Sequence, residues 1–146
     1  MRLVATGLTD VGMVREGNED NYLHDERLGI YAVADGMGGH EAGEVASAVA
    51  IEALRAGIAG GSLITEAVIQ ANTAVLEKAD ANPAMRGMGT TLTAAIQVEG
   101  GLRIGHVGDS RAYVLRESTR LRLKRFVKQN PWAWTIAQKA RELMHG

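Results

Sequence analysis

Short apolar runs alternate with glycine-rich breaks along the chain, and the period of each run predicts its element. Arg2 to Leu8 mixes apolar with polar or small residues in loose alternation, a strand pattern, and Leu28 to Ala34 (LGIYAVA) is an almost continuous apolar run. A run this short marks a buried strand more often than a helix fragment. Asp35 is therefore expected where a core strand reaches the rim of its sheet, with Gly36, Gly38 and Gly39 turning the chain. From Glu41 or Glu44 to about Ala59 an alanine-rich stretch reads as a helix, because Glu44, Glu52 and Arg55 fall in one narrow sector at the helical period. A second helix is expected after Gly60 and Gly61, capped by Ser62, with Ile64, Ala67, Val68, Ala71 and Val75 on one face and an end near Asn82 and Pro83.

A period of two returns after Gly89, where Leu92, Ala94, Ile96 and Val98 alternate with Thr91, Thr93, Ala95 and Gln97. Glu99-Gly100-Gly101 predicts a hairpin turn, Leu102 to Val107 the returning strand, and Arg111 to Arg116 a further strand after the GDS turn at 108–110. The order β, β, α, α, β, β, β lacks a βαβ rhythm. It predicts an α+β fold of antiparallel sheet with helices layered on it.

Composition narrows the function classes. A chain of 146 residues, 46% hydrophobic and 23% charged, has the make-up of an ordinary globular domain. No apolar stretch approaches the roughly 20 residues of a membrane span, and no basic segment precedes an apolar run at the N-terminus, so no membrane partner and a cytoplasmic location are expected. The absence of cysteine excludes disulfides, thiolate metal sites and cysteine nucleophiles. Charge divides the chain: residues 1–116 carry nine Lys and Arg against fifteen Asp and Glu, whereas 117–146 carry seven against two and also hold Phe126, Trp132 and Trp134. The organisation expected is a body over 1–116 and a divergent basic, aromatic-containing tail over 117–146. Within the tail, the alternation from Arg120 to Lys124 suits one more strand, Pro131 breaks it, and Trp134 to Met144 suits a short amphipathic helix. Basic residues interleaved with aromatics can contact nucleic acid. Basic runs are more often solvated faces, and no nucleic-acid module surrounds this one, so nucleic acid is not an expected partner.

The candidate chemistry lies in the acidic body. Glu19 and Asp20 sit in GMVREGNEDN (12–21), Asp35 ends a core strand, and Asp109 lies in a turn. Carboxylates at strand ends and loops are the oxygen ligands that Mg²⁺ and Mn²⁺ take, although a single aspartate in a turn more commonly bonds its own backbone. Without a side chain, Gly36 can bring its carbonyl close to a metal, or simply serve a loop. His40 titrates near neutral pH and can donate a proton, or can be a residue of the helix entry. Arg15 can hold a phosphate in a bidentate grip, while a lone loop arginine is usually solvated.

Four stretches, GMVREGNEDN, AVADGMGGHEAGE, MGTTL (88–92) and HVGDSRAYVLR (106–116), stand in the order and spacing of the metal-dependent serine/threonine protein phosphatases of the PP2C type (PPM family), particularly the bacterial form. The chain resembles the N-terminal part of that family over residues 1 to about 116. The resemblance implies a layered antiparallel β-sandwich flanked by helices, with a two-metal site for Mn²⁺ or Mg²⁺ at one edge. It implies hydrolysis of phosphoserine and phosphothreonine by a metal-activated water, without a phosphoenzyme. Carried over by residue, Asp35 bridges the metals and Gly36 lends its carbonyl. Glu19 and Asp20 support the site, Asp109 helps hold a further metal, Arg15 binds the substrate phosphate, and His40 protonates the leaving oxygen. The implied partners are phosphoserine and phosphothreonine proteins, such as substrates of a cognate serine/threonine kinase.

The family domain is longer, and its later part adds aspartates to the metals in SDG-like and DN-like motifs. Neither motif occurs here, and no aspartate follows Asp109. The expectation is a C-terminally incomplete fold, a metal site short of ligands, and weak or no turnover by this chain alone. The alternative is a non-catalytic pseudophosphatase that binds a phosphoprotein or partner.

Overall fold

A computed structural model describes residues 3–116 and 119–122. Strands β1 (Asp20–Asp25) and β2 (Ile30–Met37) are followed by helices α1 (His40–Ala59) and α2 (Ile64–Ala81). Strands β3 (Gly89–Thr90), β4 (Leu92–Val98), β5 (Gly101–Val107), β6 (Tyr113–Arg116) and β7 (Thr119–Arg122) complete the order. β1, β2, β4 and β5 are neighbours in that order in an antiparallel sheet, β3 adds a short pairing to β2, and β6–β7 form a separate two-stranded ribbon. The antiparallel, helix-layered α+β class predicted from the sequence is the class observed.

Alternation decides which face the helices cover. Ile30, Ala32 and Ala34 of β2 point inward with Leu92 and Ala94 of β4, and the covering surface is Ala42, Ala46, Ala50 and Leu54 of α1 with Ile64, Ala67, Val68, Ala71 and Val75 of α2. The buried face predicted for α2 is the one observed. Because α1 meets the sheet mainly through alanines, its backbone lies close to β2, and Leu54 is the largest of its fully buried side chains. Burial of a leucine is worth about 2 kcal/mol.

Four boundaries differ from the sequence reading, each for a local reason. The described residues 3–8 form no strand; they have no ladder partner, and Gly7 lies against the ring of Tyr22. β1 was not anticipated, since DNYLHD is too polar to stand out, yet Asn21, Leu23 and Asp25 alternate against Tyr22 and His24. Gly36 does not turn the chain: it stays in β2, opposite Thr90, and the turn is made by Gly38 and Gly39 at φ 138° and 79°. Ser62 does not cap α2. Leu63 takes the N-cap position, its N–H donating to Glu66 Oε2 at 3.0 Å, while Ser62 Oγ accepts from Gln70 Nε2. β7 covers the described part of the strand expected at 120–124, whereas residues 123–124 and the helix expected at 134–144 lie outside the described residues.

A polar fastener joins β1 to α1. Asp25 accepts Leu28 N–H at 2.9 Å and Arg55 Nε–H at 3.1 Å, and these donors hold its carboxyl below the usual carboxylate range. A depressed pKa contributes stability that is present above the ordinary carboxylate range and is lost as pH falls through the folded value. Asp25→Asn is therefore expected to lower the Tm near neutral pH, with the difference from wild type shrinking below about pH 4. Thermal melts across pH check this, and a difference that grows in acid contradicts it.

Candidate active site

The site occupies the sheet edge where β2 ends. An open depression of about 810 Å³ is lined by Arg15, Glu19, Asp35, Gly36, Gly38, Gly39, Thr91 and Asp109 among others. Arg15, Glu19, Asp35 and Asp109, from three stretches of the chain, thus meet there with Gly36, whereas Asp20 lines the adjoining depression that shares Asp35.

Each arrives by its own local device. Arg15 rides on the loop before β1, whose base is closed by Asn18 Nδ2–H donating to Thr9 Oγ1 at 2.7 Å, while Asn18 Oδ1 accepts Asp20 N–H at 3.0 Å. Asp20 opens β1 directly across the ladder from Asp35. Directly opposed side chains of an antiparallel pair are close neighbours, and two like charges there repel. Burial raises the pKa of Asp35 first, the Asp20 carboxyl raises it further by charge and hydrogen bond, and Asp109 adds to the rise against the opposing pull of Arg15. A raised carboxylate opposes folding once pH passes its ionisation, and a cation between these groups relieves that cost.

Glu19 and Gly36 are placed by close packing. Gly36 N–H donates to Glu19 O at 3.1 Å, and a Cβ on Gly36 would fall on the carbonyl oxygens of Gly43 and Glu19. A Cβ on Gly43 would fall on Glu19 Oε2, so the carboxyl of Glu19 lies beside the first turn of α1, where the helix dipole favours negative charge. Ser47, fully buried on α1, donates to Glu19 O at 2.6 Å and accepts Asn21 Nδ2–H at 2.8 Å. Neither Ser47 nor Asn21 stood out in the sequence, because a serine in an alanine-rich helix carries no pattern. Ser47→Ala is expected to cost about 1–3 kcal/mol by taking the acceptor from Asn21 Nδ2–H and one of two donors from Glu19 O, which keeps Gly36 N–H. Denaturant unfolding measures it, and a wild-type midpoint would refute the fastener.

His40 is the first residue of α1, directly after the Gly38–Gly39 turn at the rim, and only its backbone is described. The donor set of Asp20, Asp35, Asp109 and Glu19 consists of hard oxygens, which fits Mn²⁺ or Mg²⁺. Among the described residues no three such groups stand close enough to enclose an ion by themselves. Both cations commonly retain water ligands, so convergence without enclosure still fits.

The model of the protein phosphatase 2C family matches residues 15–129. This chain belongs to that family. It is 40% identical over 139 residues to the serine/threonine protein phosphatase PstP of Mycobacterium tuberculosis, covering 91% of this chain and 26% of that protein. It is 39% identical over 124 residues to the serine/threonine phosphatase stp of Listeria welshimeri, covering 76% of this chain and 49% of the relative. The chain thus spans from about a quarter to about half the length of these relatives. Among solved structures, the PPM Ser-Thr phosphatase MsPP of Mycobacterium smegmatis, in complex with cacodylate, superposes with a TM-score of 0.70 at 40% identity, over 80% of this chain and 50% of that one. The catalytic domain of PstP with two manganese ions gives a TM-score of 0.69 at 36% identity, over 92% and 60%. The family resemblance in the four sequence motifs is thereby established.

Proposed function

We propose that the Asp35 edge serves hydrolysis of phosphoserine and phosphothreonine in proteins, with two divalent cations, Mn²⁺ or Mg²⁺. The convergence of the Asp35 and Asp109 carboxylates with Arg15 at one depression, with Asp20 against Asp35, carries this reading. The relative that holds two manganese ions supports it. Asp35 and the carbonyl of Gly36 are the residues to hold the metals, with Glu19, Asp20 and Asp109 supporting them. When bound, a metal pair supplies an activated water near neutral pH and stabilises the entering and leaving oxygens.

The chain's own residues do the rest. Arg15 grips two phosphate oxygens and orients the phosphorus toward Asp35. His40 gives a proton to the departing serine or threonine oxygen. Gly38 and Gly39 keep the rim free of side chains, so that a phosphorylated residue on a protein can reach the carboxylates. Among the described residues no helix is long and apolar enough to cross a membrane. A cytoplasmic role against the products of a serine/threonine kinase, as part of signal transduction, completes the reading.

A second reading rests on the lack of an enclosing trio of ligands among the described residues: a pseudophosphatase that binds phosphoprotein without turnover. Peptides separate the two. With Mn²⁺, the first reading expects phosphate release from phosphothreonine and phosphoserine peptides and little from a phosphotyrosine peptide. Metal-independent peptide binding without release supports the second and overturns the first.

A further inference from the structure

The strand pairing beside Asp35 contains a splice that none of the roles above uses. Gly36 pairs with Thr90 and Val33 with Thr93, so the register between β2 and the β3–β4 segment is continuous and sets Asp35 opposite Thr91. An ordinary antiparallel pair there would exchange two backbone bonds. One is made, from Thr91 N–H to Asp35 O at 2.9 Å. The other is replaced: Asp35 N–H donates to the Thr91 hydroxyl at 2.9 Å, and the Thr91 carbonyl accepts instead from the Thr90 hydroxyl at 2.9 Å. The same Thr91 hydroxyl bonds Ser110 Oγ at 2.6 Å, and either oxygen can supply that proton. The Thr91 side chain also packs on Gly108, where a Cβ would approach its Cγ2 to 2.7 Å.

Resting on the metal-site reading above, we propose that Thr91 is a positioning residue that fixes Asp35 against the turn bearing Asp109 and thereby sets cation affinity. Its hydroxyl holds the backbone of Asp35 on one side and the residue next to Asp109 on the other. Both carboxylates face the same depression as Thr91. An aspartate carboxylate reaches only one carbon beyond its Cα, so the spacing of two such ligands is governed by their backbones. Partners that orient metal ligands typically cost 10–100-fold in affinity when removed.

Thr91→Val keeps the β-branch that packs on Gly108 and deletes the hydroxyl, whereas Thr91→Ser keeps the hydroxyl. Ser110→Ala severs only the outer link. Two quantities are read on the full 146-residue chain: hydrogen exchange of the Asp35 amide without metal, and calorimetric affinity for Mn²⁺ alone. Thr91→Val is expected to speed exchange at Asp35 by on the order of fivefold and to weaken Mn²⁺ by on the order of tenfold. Thr91→Ser should restore both to within about threefold of wild type. Ser110→Ala should weaken Mn²⁺ while leaving the Asp35 amide protected, a split that general loss of stability does not produce. Wild-type Mn²⁺ affinity in both Thr91→Val and Ser110→Ala overturns the proposal. So does unchanged exchange at Asp35 in Thr91→Val, a result that counts against the splice even if the wild-type chain binds no Mn²⁺ and the functional reading fails separately.

Discussion

Asp35→Ala is expected to reduce Mn²⁺ affinity and any metal-dependent phosphate release by more than the roughly 100-fold that loss of an outer-shell partner costs, while the chain still folds. The two halves of that expectation have one cause. Burial disfavours the charge of Asp35, and Asp20 and Asp109 crowd it against the pull of Arg15, so the ionised carboxylate is on balance unfavourable to folding without a cation. Its position against charge repulsion makes sense as a ligand and not as a structural group. Removing it relieves the repulsion and removes the site together. Calorimetry with Mn²⁺ and a thermal melt on the same preparation read both. Affinity within tenfold of wild type, or a variant that fails to fold, contradicts this assignment.

Gly36→Ala should act through packing. The added methyl would meet the carbonyl oxygens of Gly43 on α1 and Glu19 before β1, both of them backbone atoms that no rotamer change can move. Relief requires α1 to lift from β2, where Ala42 and Ala46 are buried, or Gly36 N–H to give up its bond to Glu19 O. Overpacking of this kind costs about 3 kcal/mol, and for a chain of this size that lowers Tm by roughly 10 °C. Since Asp35 and Glu19 flank the same contact, cation affinity should fall with it. A Gly36→Ala chain with wild-type Tm would show that α1 does not approach β2 this closely.

Much of this was visible along the chain because burial leaves a period. The LGIYAVA run, the inward face of α2 and the alternation from Leu92 to Val98 are direct records of side chains meeting a core, and the elements lie where those records place them. β1 was illegible because its inward residues include Asn21 and Asp25, whose fit depends on Ser47 and Arg55, partners 26 and 30 residues away. The pattern at 3–8 had the opposite fault: alternation without a partner strand makes no ladder. Carboxylate chemistry and family motifs single out Asp20, Asp35 and Asp109 as candidates, and the fold sets Asp20, Asp109 and Arg15 around Asp35. Thr91 and Ser110 stood inside quoted motifs without a role, since what distinguishes their hydroxyls is a backbone bond displaced from an otherwise continuous ladder. Only the paired strands reveal it. The sequence pattern presents Gly36 as a turn residue, whereas it lies within β2 and its close approach to Gly43 demands a glycine there.

On the function proposed above, this sheet edge performs metal-dependent hydrolysis of phosphorylated protein side chains. Phosphate released from a phosphothreonine peptide by the 146-residue chain, followed as Mn²⁺ is raised from zero and then removed by chelation, tests it in one titration. Release that is absent without Mn²⁺, rises with it and stops on chelation is the predicted result. Release indifferent to Mn²⁺, or a bound peptide that stays phosphorylated at saturating Mn²⁺, would contradict it.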